Sequence, residues 1–136
     1  MRFVLALLFG LIAGHAQAET PEDRSAIQSV ITQQLEAFKN NDAEAAYALA
    51  APMIQQMFGN ATNFLGMVAH GYPPVYRPRQ TSFGTLGLED DRLIQRVEIV
   101  GPDGRNWLAL YTMEKQSDGS WKINGCQLTE SQSVGA

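Results

Sequence analysis

One cysteine, Cys126, is all that 136 residues contain, so no disulfide can close within the chain even in an oxidising compartment. Histidine is nearly as scarce. His15 and His70, with a lone distant cysteine, make no metal-ligand spacing, and neither a metal nor a cofactor is expected. Gly-rich phosphate loops and Ser-His-Asp arrangements are absent as motifs. Positive charge is also short: ten Lys and Arg stand against fourteen Asp and Glu, a formal net charge of -4 that disfavours nucleic acid and anionic membrane surfaces as partners. Long apolar runs are missing apart from Phe3 to Ala13, which is shorter than the roughly 17 to 25 residues needed to span a bilayer.

That run has the layout of a secretory signal peptide. Arg2 supplies a positive start, Phe3 to Ala13 the apolar segment, and Ala16-Gln17-Ala18 a small-x-small cleavage pattern. Cleavage after Ala18 places the mature protein, starting at Glu19, in the periplasm or outside the cell. A glutamate rather than a cysteine at that position excludes a lipoprotein, and no later stretch is apolar enough for stable membrane insertion. Loss of Arg2 takes the net charge one unit further negative. Removing eighteen of 136 residues leaves 118, enough for a single domain over 19–136 that buries its own core.

The mature chain opens with helix signals. Thr20-Pro21-Glu22-Asp23 combines a capping hydroxyl, proline at the first helical position and acids in the first turn. Ile27, Val30, Ile31, Leu35 and Phe38 then recur at helical spacing. Asn40-Asn41-Asp42 breaks that helix and caps an alanine-rich one over Ala43 to Ala50, and Pro52 starts another turn or two. A further helix is expected over Asn60 to His70, stopped by Gly71. Tyr72-Pro73-Pro74 predicts an extended connection.

Strand signals follow. Val75 to Phe83 reads as an irregular first strand with Pro78 at an edge or bulge, and Gly84 to Asp91 as a loop. Arg92 to Val100 and Asn106 to Lys115 are clear strands joined by Gly101-Pro102-Asp103-Gly104. After Gln116-Ser117-Asp118-Gly119, a last strand runs from Trp121 to Thr129. Its alternation shifts from Trp121 and Ile123 to Cys126 and Leu128, which marks a bulge near Gly125. Helices followed by an antiparallel meander predict an α+β fold with the helices on one face of the sheet.

The long first helix, the Asn41-Asp42-Ala43-Glu44-Ala45-Ala46-Tyr47 segment and the final Asp118-Gly119-Ser120-Trp121-Lys122-Ile123 resemble the nuclear transport factor 2-like superfamily, which includes the ketosteroid isomerases. More narrowly, Gly71-Tyr72-Pro73-Pro74-Val75-Tyr76 with Trp121-Lys122-Ile123-Asn124-Gly125-Cys126 resembles the bacterial domain-of-unknown-function family 4864. The resemblance implies a cone-like, cystatin-like shape: a curved antiparallel sheet wrapping the first helix, often with an apolar pocket at the mouth. Superfamily members include isomerases, dehydratases and hydrolases as well as domains that only bind, so fold alone does not select a function.

Candidate ligand-binding residues are Tyr47, His70, Tyr76, Arg77, Arg79 and Tyr111. The tyrosines pair an apolar body with a hydroxyl that needs a partner when buried; core packing is the alternative for each. His70, the one imidazole of the mature chain, could act as a base, or could serve the free carbonyls of its helix end. Arg77 and Arg79, alternating on a strand, could clamp a carboxylate or phosphate, or protect an edge. Glu98 and Glu114 are expected on solvated strand faces, and Cys126 as a buried, inert thiol. No residue is assigned as catalytic. The expected function is a non-catalytic periplasmic binding or interaction domain for a small apolar ligand or a protein partner, with homodimerisation open; the alternative is a small pocket enzyme of isomerase or dehydratase type. N-terminal sequencing of the protein recovered from the periplasm is expected to start at Glu19, and recovery of the uncut chain from the membrane fraction would overturn the leader assignment.

Overall fold

Thr20 and Asp23 cap each other's backbone at the start of α1 (Pro21–Lys39), with Asp23 N donating to the threonine hydroxyl and Thr20 N to the aspartate. The computed structural model describes residues 20–131; the expected leader and cleavage site lie outside them, as do the last five residues. Ile27, Ile31, Ala37 and Phe38 form the buried stripe of α1. Asn41, in the left-handed region at φ 53°, turns the chain, and Asp42 accepts from Ala45 N to cap α2 (Ala43–Ala48). Buried Gln34 donates to Ala46 O at 3.0 Å, and the alanine side chain lets the two helices approach that closely.

The chain then touches the sheet before it returns to helix. Ala50 pairs in parallel with Ile123, after which come α3 (Pro52–Phe58) and α4 (Ala61–Gly71, capped by Asn60). Two expectations are corrected next. The Tyr72-Pro73-Pro74 connection is not extended: Tyr72, at φ -133° and ψ 56°, lies outside the extended region, and the prolines occupy the first positions of a one-turn helix, α5 (Pro73–Tyr76). Those positions have free N–H groups in any helix, so proline loses nothing there. The first strand is accordingly β1 (Gln80–Glu89), not Val75 to Phe83, and most of the expected Gly84 to Asp91 loop is its second half. Bare Gly84 and Gly87, and a bulge between Phe83 and Leu86, erase the alternation that would have announced it.

Asp90 and Asp91, both at positive φ, turn β1 into β2 (Arg92–Val100); β3 (Asn106–Lys115) and β4 (Trp121–Glu130) complete an antiparallel meander in the order β1-β2-β3-β4. Leu93, Val97, Ile99, Ala109, Tyr111, Met113 and Ile123 face the helices and share one core with Ile27, Ile31, Phe38, Phe64, Val68 and Val75. The fold class is thus the expected α+β, N-terminal helices covering one face of an antiparallel sheet.

Gln95 is a fully buried polar side chain in that face. Its Nε2 lies 3.1 Å from Gly84 O, 3.3 Å from Thr85 O and 2.8 Å from Arg96 O, so it serves the carbonyls that the β1 bulge removes from the ladder. Gln28 of α1 donates in turn to Gln95 Oε1 at 3.4 Å. Gln95→Leu keeps the volume but strands those carbonyls, and is expected to cost about 1–3 kcal/mol in chemical denaturation. Gln28→Ala, removing a long and half-exposed bond, should cost under about 0.5 kcal/mol; equal costs would refute the account.

Candidate functional site

A cleft of about 800 Å³ opens between the helices and the β4 side of the sheet. Phe38 of α1, Ile54 and Phe58 of α3, and Phe64, Met67 and Val68 of α4 form its helix wall, with Tyr72 and Val75 beside them. Phe64 organises that wall: its ring centroid lies 6.0 Å from Phe38, 5.8 Å from Tyr47 and 5.7 Å from Phe58. Tyr111, Ile123 and Cys126 form the facing sheet wall.

A bulge in β4 shapes the other arm of the cleft. Met113 pairs with Ile123 and Thr112 with Gly125, which leaves Asn124 as the extra residue. The expected break in alternation is present, one residue before Gly125. Ile94, Thr112 and Gly125 are direct neighbours across three strands on the face away from the helices, and all three line the cleft. The space therefore continues past the β4 edge onto the outer face, ending at Glu89, Asp90 and Arg92, and its volume counts both arms. Met53 and Met57, 58% and 65% exposed, lie on its rim.

The sequence-derived candidates are not one cluster. Tyr111 lines the cleft, 1% exposed. Tyr47 lies behind the wall, its hydroxyl donating to Gln55 O while Gln55 Nε2 returns a bond to Tyr47 O. His70 is exposed outside the cleft, and its Nδ1 is 2.8 Å from Gly66 O, a bond to its own helix. Tyr76 belongs to α5 rather than to a strand, and its hydroxyl donates to Asn41 Oδ1. Arg77 and Arg79 precede β1, so strand alternation does not pair them. Arg77 stacks on Tyr76 with its Cζ 3.9 Å from the ring centroid and donates to Phe38 O, bracing the end of α1; Arg79 donates to Pro102 O in the β2–β3 turn. They hold different backbones and form no common anion clamp. Glu98 and Glu114 are exposed.

Sequence reasoning missed Tyr72, the methionine rim and the aromatic wall around Phe64. The spacing of Phe58, Phe64 and Val68 signals only burial, and nothing in it distinguishes a filled core from a cleft wall. Among the described residues no His, Cys, Asp and Glu group could hold a metal ion, and no helix is long and apolar enough to cross a membrane.

The family described as Domain of unknown function (DUF4864) matches residues 20–136. The chain belongs to this family. No curated protein matches the DUF4864 chain. Among solved structures, an NTF-2 like protein of unknown function from Burkholderia xenovorans LB400 is 14% identical with a TM-score of 0.49, over 82% of this chain and 88% of that one. A protein of unknown function with a cystatin-like fold from Nostoc punctiforme PCC 73102 is 12% identical with a TM-score of 0.54, over 85% of this chain and 96% of that one. The latter likeness shows that the DUF4864 domain has a cystatin-like fold.

Two polar groups on the sheet wall of this DUF4864 domain are strongly perturbed. Burial lifts the Tyr111 phenol well above its ordinary range, and the neighbouring Cys126 adds to the effect. The Tyr111 hydroxyl is shut off from solvent, and the group beside it is the Cys126 thiol, a weak acceptor. Cys126 faces it directly across the β3–β4 ladder, and burial pushes that thiol up to about 12 although part of the residue remains exposed. Such a thiol is a poor nucleophile at neutral pH. An unfolded thiol ionises near about 8.5, so the stability due to its burial is fully present below that pH. Above it the unfolded chain loses its proton first, and stability falls by about 1.4 kcal/mol per pH unit until the folded thiol ionises. Denaturation at pH 8, 9 and 10 should show this slope in the wild type and lose it in Cys126→Ala; parallel curves would refute it.

Proposed function

We propose that this domain is an exported binding protein that holds a small, largely apolar molecule in the cleft between α3, α4 and β4. One observation carries the reading: side chains do not fill the space between the aromatic helix wall and the Tyr111–Cys126 wall. Close packing is the rule in protein interiors, and a ligand-sized cleft that joins an apolar wall to polar groups at fixed positions is the usual form of a small-molecule site. The signal-peptide pattern supports a periplasmic or secreted setting.

The isomerase-type alternative needs an acid or base held against the substrate. His70 supplies none, being on the surface and bonded to Gly66 O. Among the described residues the cleft's carboxylates are Glu89 and Asp90, both exposed at the end of the outer arm. Such carboxylates lack the burial that would turn them into bases near neutral pH. Binding without chemistry is the reading these positions favour.

Native mass spectrometry of the mature protein purified from the periplasm is expected to show a stoichiometric adduct, released on denaturation as a small organic molecule. Met67→Trp, which places a larger side chain in the helix wall, should abolish the adduct while the protein stays folded by circular dichroism. A bare protein at a defined dimer mass would overturn the ligand reading and turn the search to a protein partner.

A further inference from the structure

Large apolar side chains are exposed in two places. Among the described residues they are Met53 and Met57 on the cleft rim, and Phe83 and Leu88 on β1, the latter two 37% and 53% exposed. Phe83 lies opposite Val97 and Leu88 opposite Leu93, so both β1 residues are on the helix-facing side of the sheet, where their neighbours on β2 belong to the core. Leu86 between them is buried. The helices cover the middle of β1 and leave an apolar residue bare on either side of it.

The backbone of this strand is equally uncovered. β1 ends the β1-β2-β3-β4 order, and among the described residues no backbone group pairs with its outer edge. At the opposite edge, Ile123 exchanges hydrogen bonds with Leu49 and Ala51. Exposed edges are normally guarded by lysine, proline, inward-pointing charge or a bulge. From Gln80 to Leu88 there is no charged residue and no proline, so the bulge at Gly84 and Thr85 is the single guard. Ten residues of strand with free donors and acceptors are a docking surface for another strand.

The features of β1 fit a second copy of itself. A two-fold axis pairs a strand antiparallel with its copy and makes each contact twice. With Phe83 set opposite Leu88 of the partner subunit, Leu88 falls opposite the partner's Phe83, and each bare apolar residue covers the other. Both strands carry the same extra residue within that interval, so the offset that one bulge introduces is cancelled by the other. The same register brings the partner's Asp90 and the partner's Asp91 opposite Thr81 and Gln80, beside Arg79. Arg79 donates to Pro102 O and has no carboxylate partner among the described residues, so the pairing also joins opposite charges at both ends. We propose that two mature chains associate antiparallel through β1, which joins their four-stranded sheets into one. The inner arm of the cleft, against β4 at the far edge, stays open, so this association is independent of the ligand-binding function.

Sedimentation equilibrium of the mature protein at micromolar concentration should give the dimer mass whether or not the cleft is filled. Leu88→Lys, at an exposed position, should keep the melting temperature and weaken association at least about tenfold, because a charge then meets the partner's Phe83 at both symmetric contacts. Cross-linking in a Cys126→Ala background reads the register. Phe83→Cys chains mixed with Leu88→Cys chains and oxidised with diamide should give a covalent heterodimer, and neither chain alone should cross-link. A disulfide needs Cα atoms within about 7 Å, a separation that the proposed register gives only to the mixed pair. A wild-type monomer up to millimolar concentration, a dimer that Leu88→Lys leaves intact, or mixed chains that fail to cross-link would overturn the proposal. In native mass spectrometry an adduct-bearing monomer would overturn the dimer and leave the cleft a ligand site, whereas a bare dimer that cross-links in this register would do the reverse.

Discussion

The placement of everything else depends on two backbone hydrogen bonds to one residue. Ile123 N donates to Leu49 O at 2.9 Å, and Ala51 N donates to Ile123 O at 2.8 Å. Between them they fasten the α2–α3 connection to the outer edge of β4, and Lys122 Nζ reinforces the seam by donating to Ala48 O. Because α3 starts immediately afterwards at Pro52, it has to run beside β4. The β4 bulge begins one residue past the seam, at Asn124, so that edge is closed up to Ile123 and the cleft opens beyond it.

The elements best announced by the sequence are those whose local chemistry and tertiary role agree. Thr20 and Asp42 cap the helices whose starts they mark, and the bounds expected for β2 and β3 are those observed. Both β2 and β3 bury one face and have neighbours on both sides, so their pattern is written plainly. Edge strand β1 is different. Most of it is exposed, and its alternation is interrupted where Gly84 and Thr85 bulge. What holds that bulge is Gln95, a residue ten positions later that reads as an ordinary polar strand residue. Tertiary hydrogen bonding decides the conformation, and sequence proximity carries no trace of it.

The site was legible to a lesser degree for a related reason. A polar side chain near a turn can serve a ligand or a backbone carbonyl, and residue type does not separate the two. His70, Arg77 and Arg79 all serve carbonyls, of Gly66, of Phe38 and Tyr76, and of Pro102. Tyr47 and Tyr76 spend their hydroxyls on Gln55 and Asn41. Tyr111 alone among the candidates lines the cleft, its hydroxyl shut off from solvent beside the Cys126 thiol, a setting fixed by the β3–β4 register rather than by its neighbours in sequence.

The extra residue at Asn124 has a bearing on how relatives of this chain are compared. Side chains alternate faces along a strand, so one inserted residue exchanges every later position between core and exterior. Upstream of Asn124 the odd-numbered Ile123 faces the helices, whereas downstream Cys126 does. A chain of the same fold without the bulge would need a one-residue gap at this point. Aligned without it, that chain would set its own cleft-wall residues against Gly125 and Gln127, and a shared ligand-contacting position would look like unrelated surface variation.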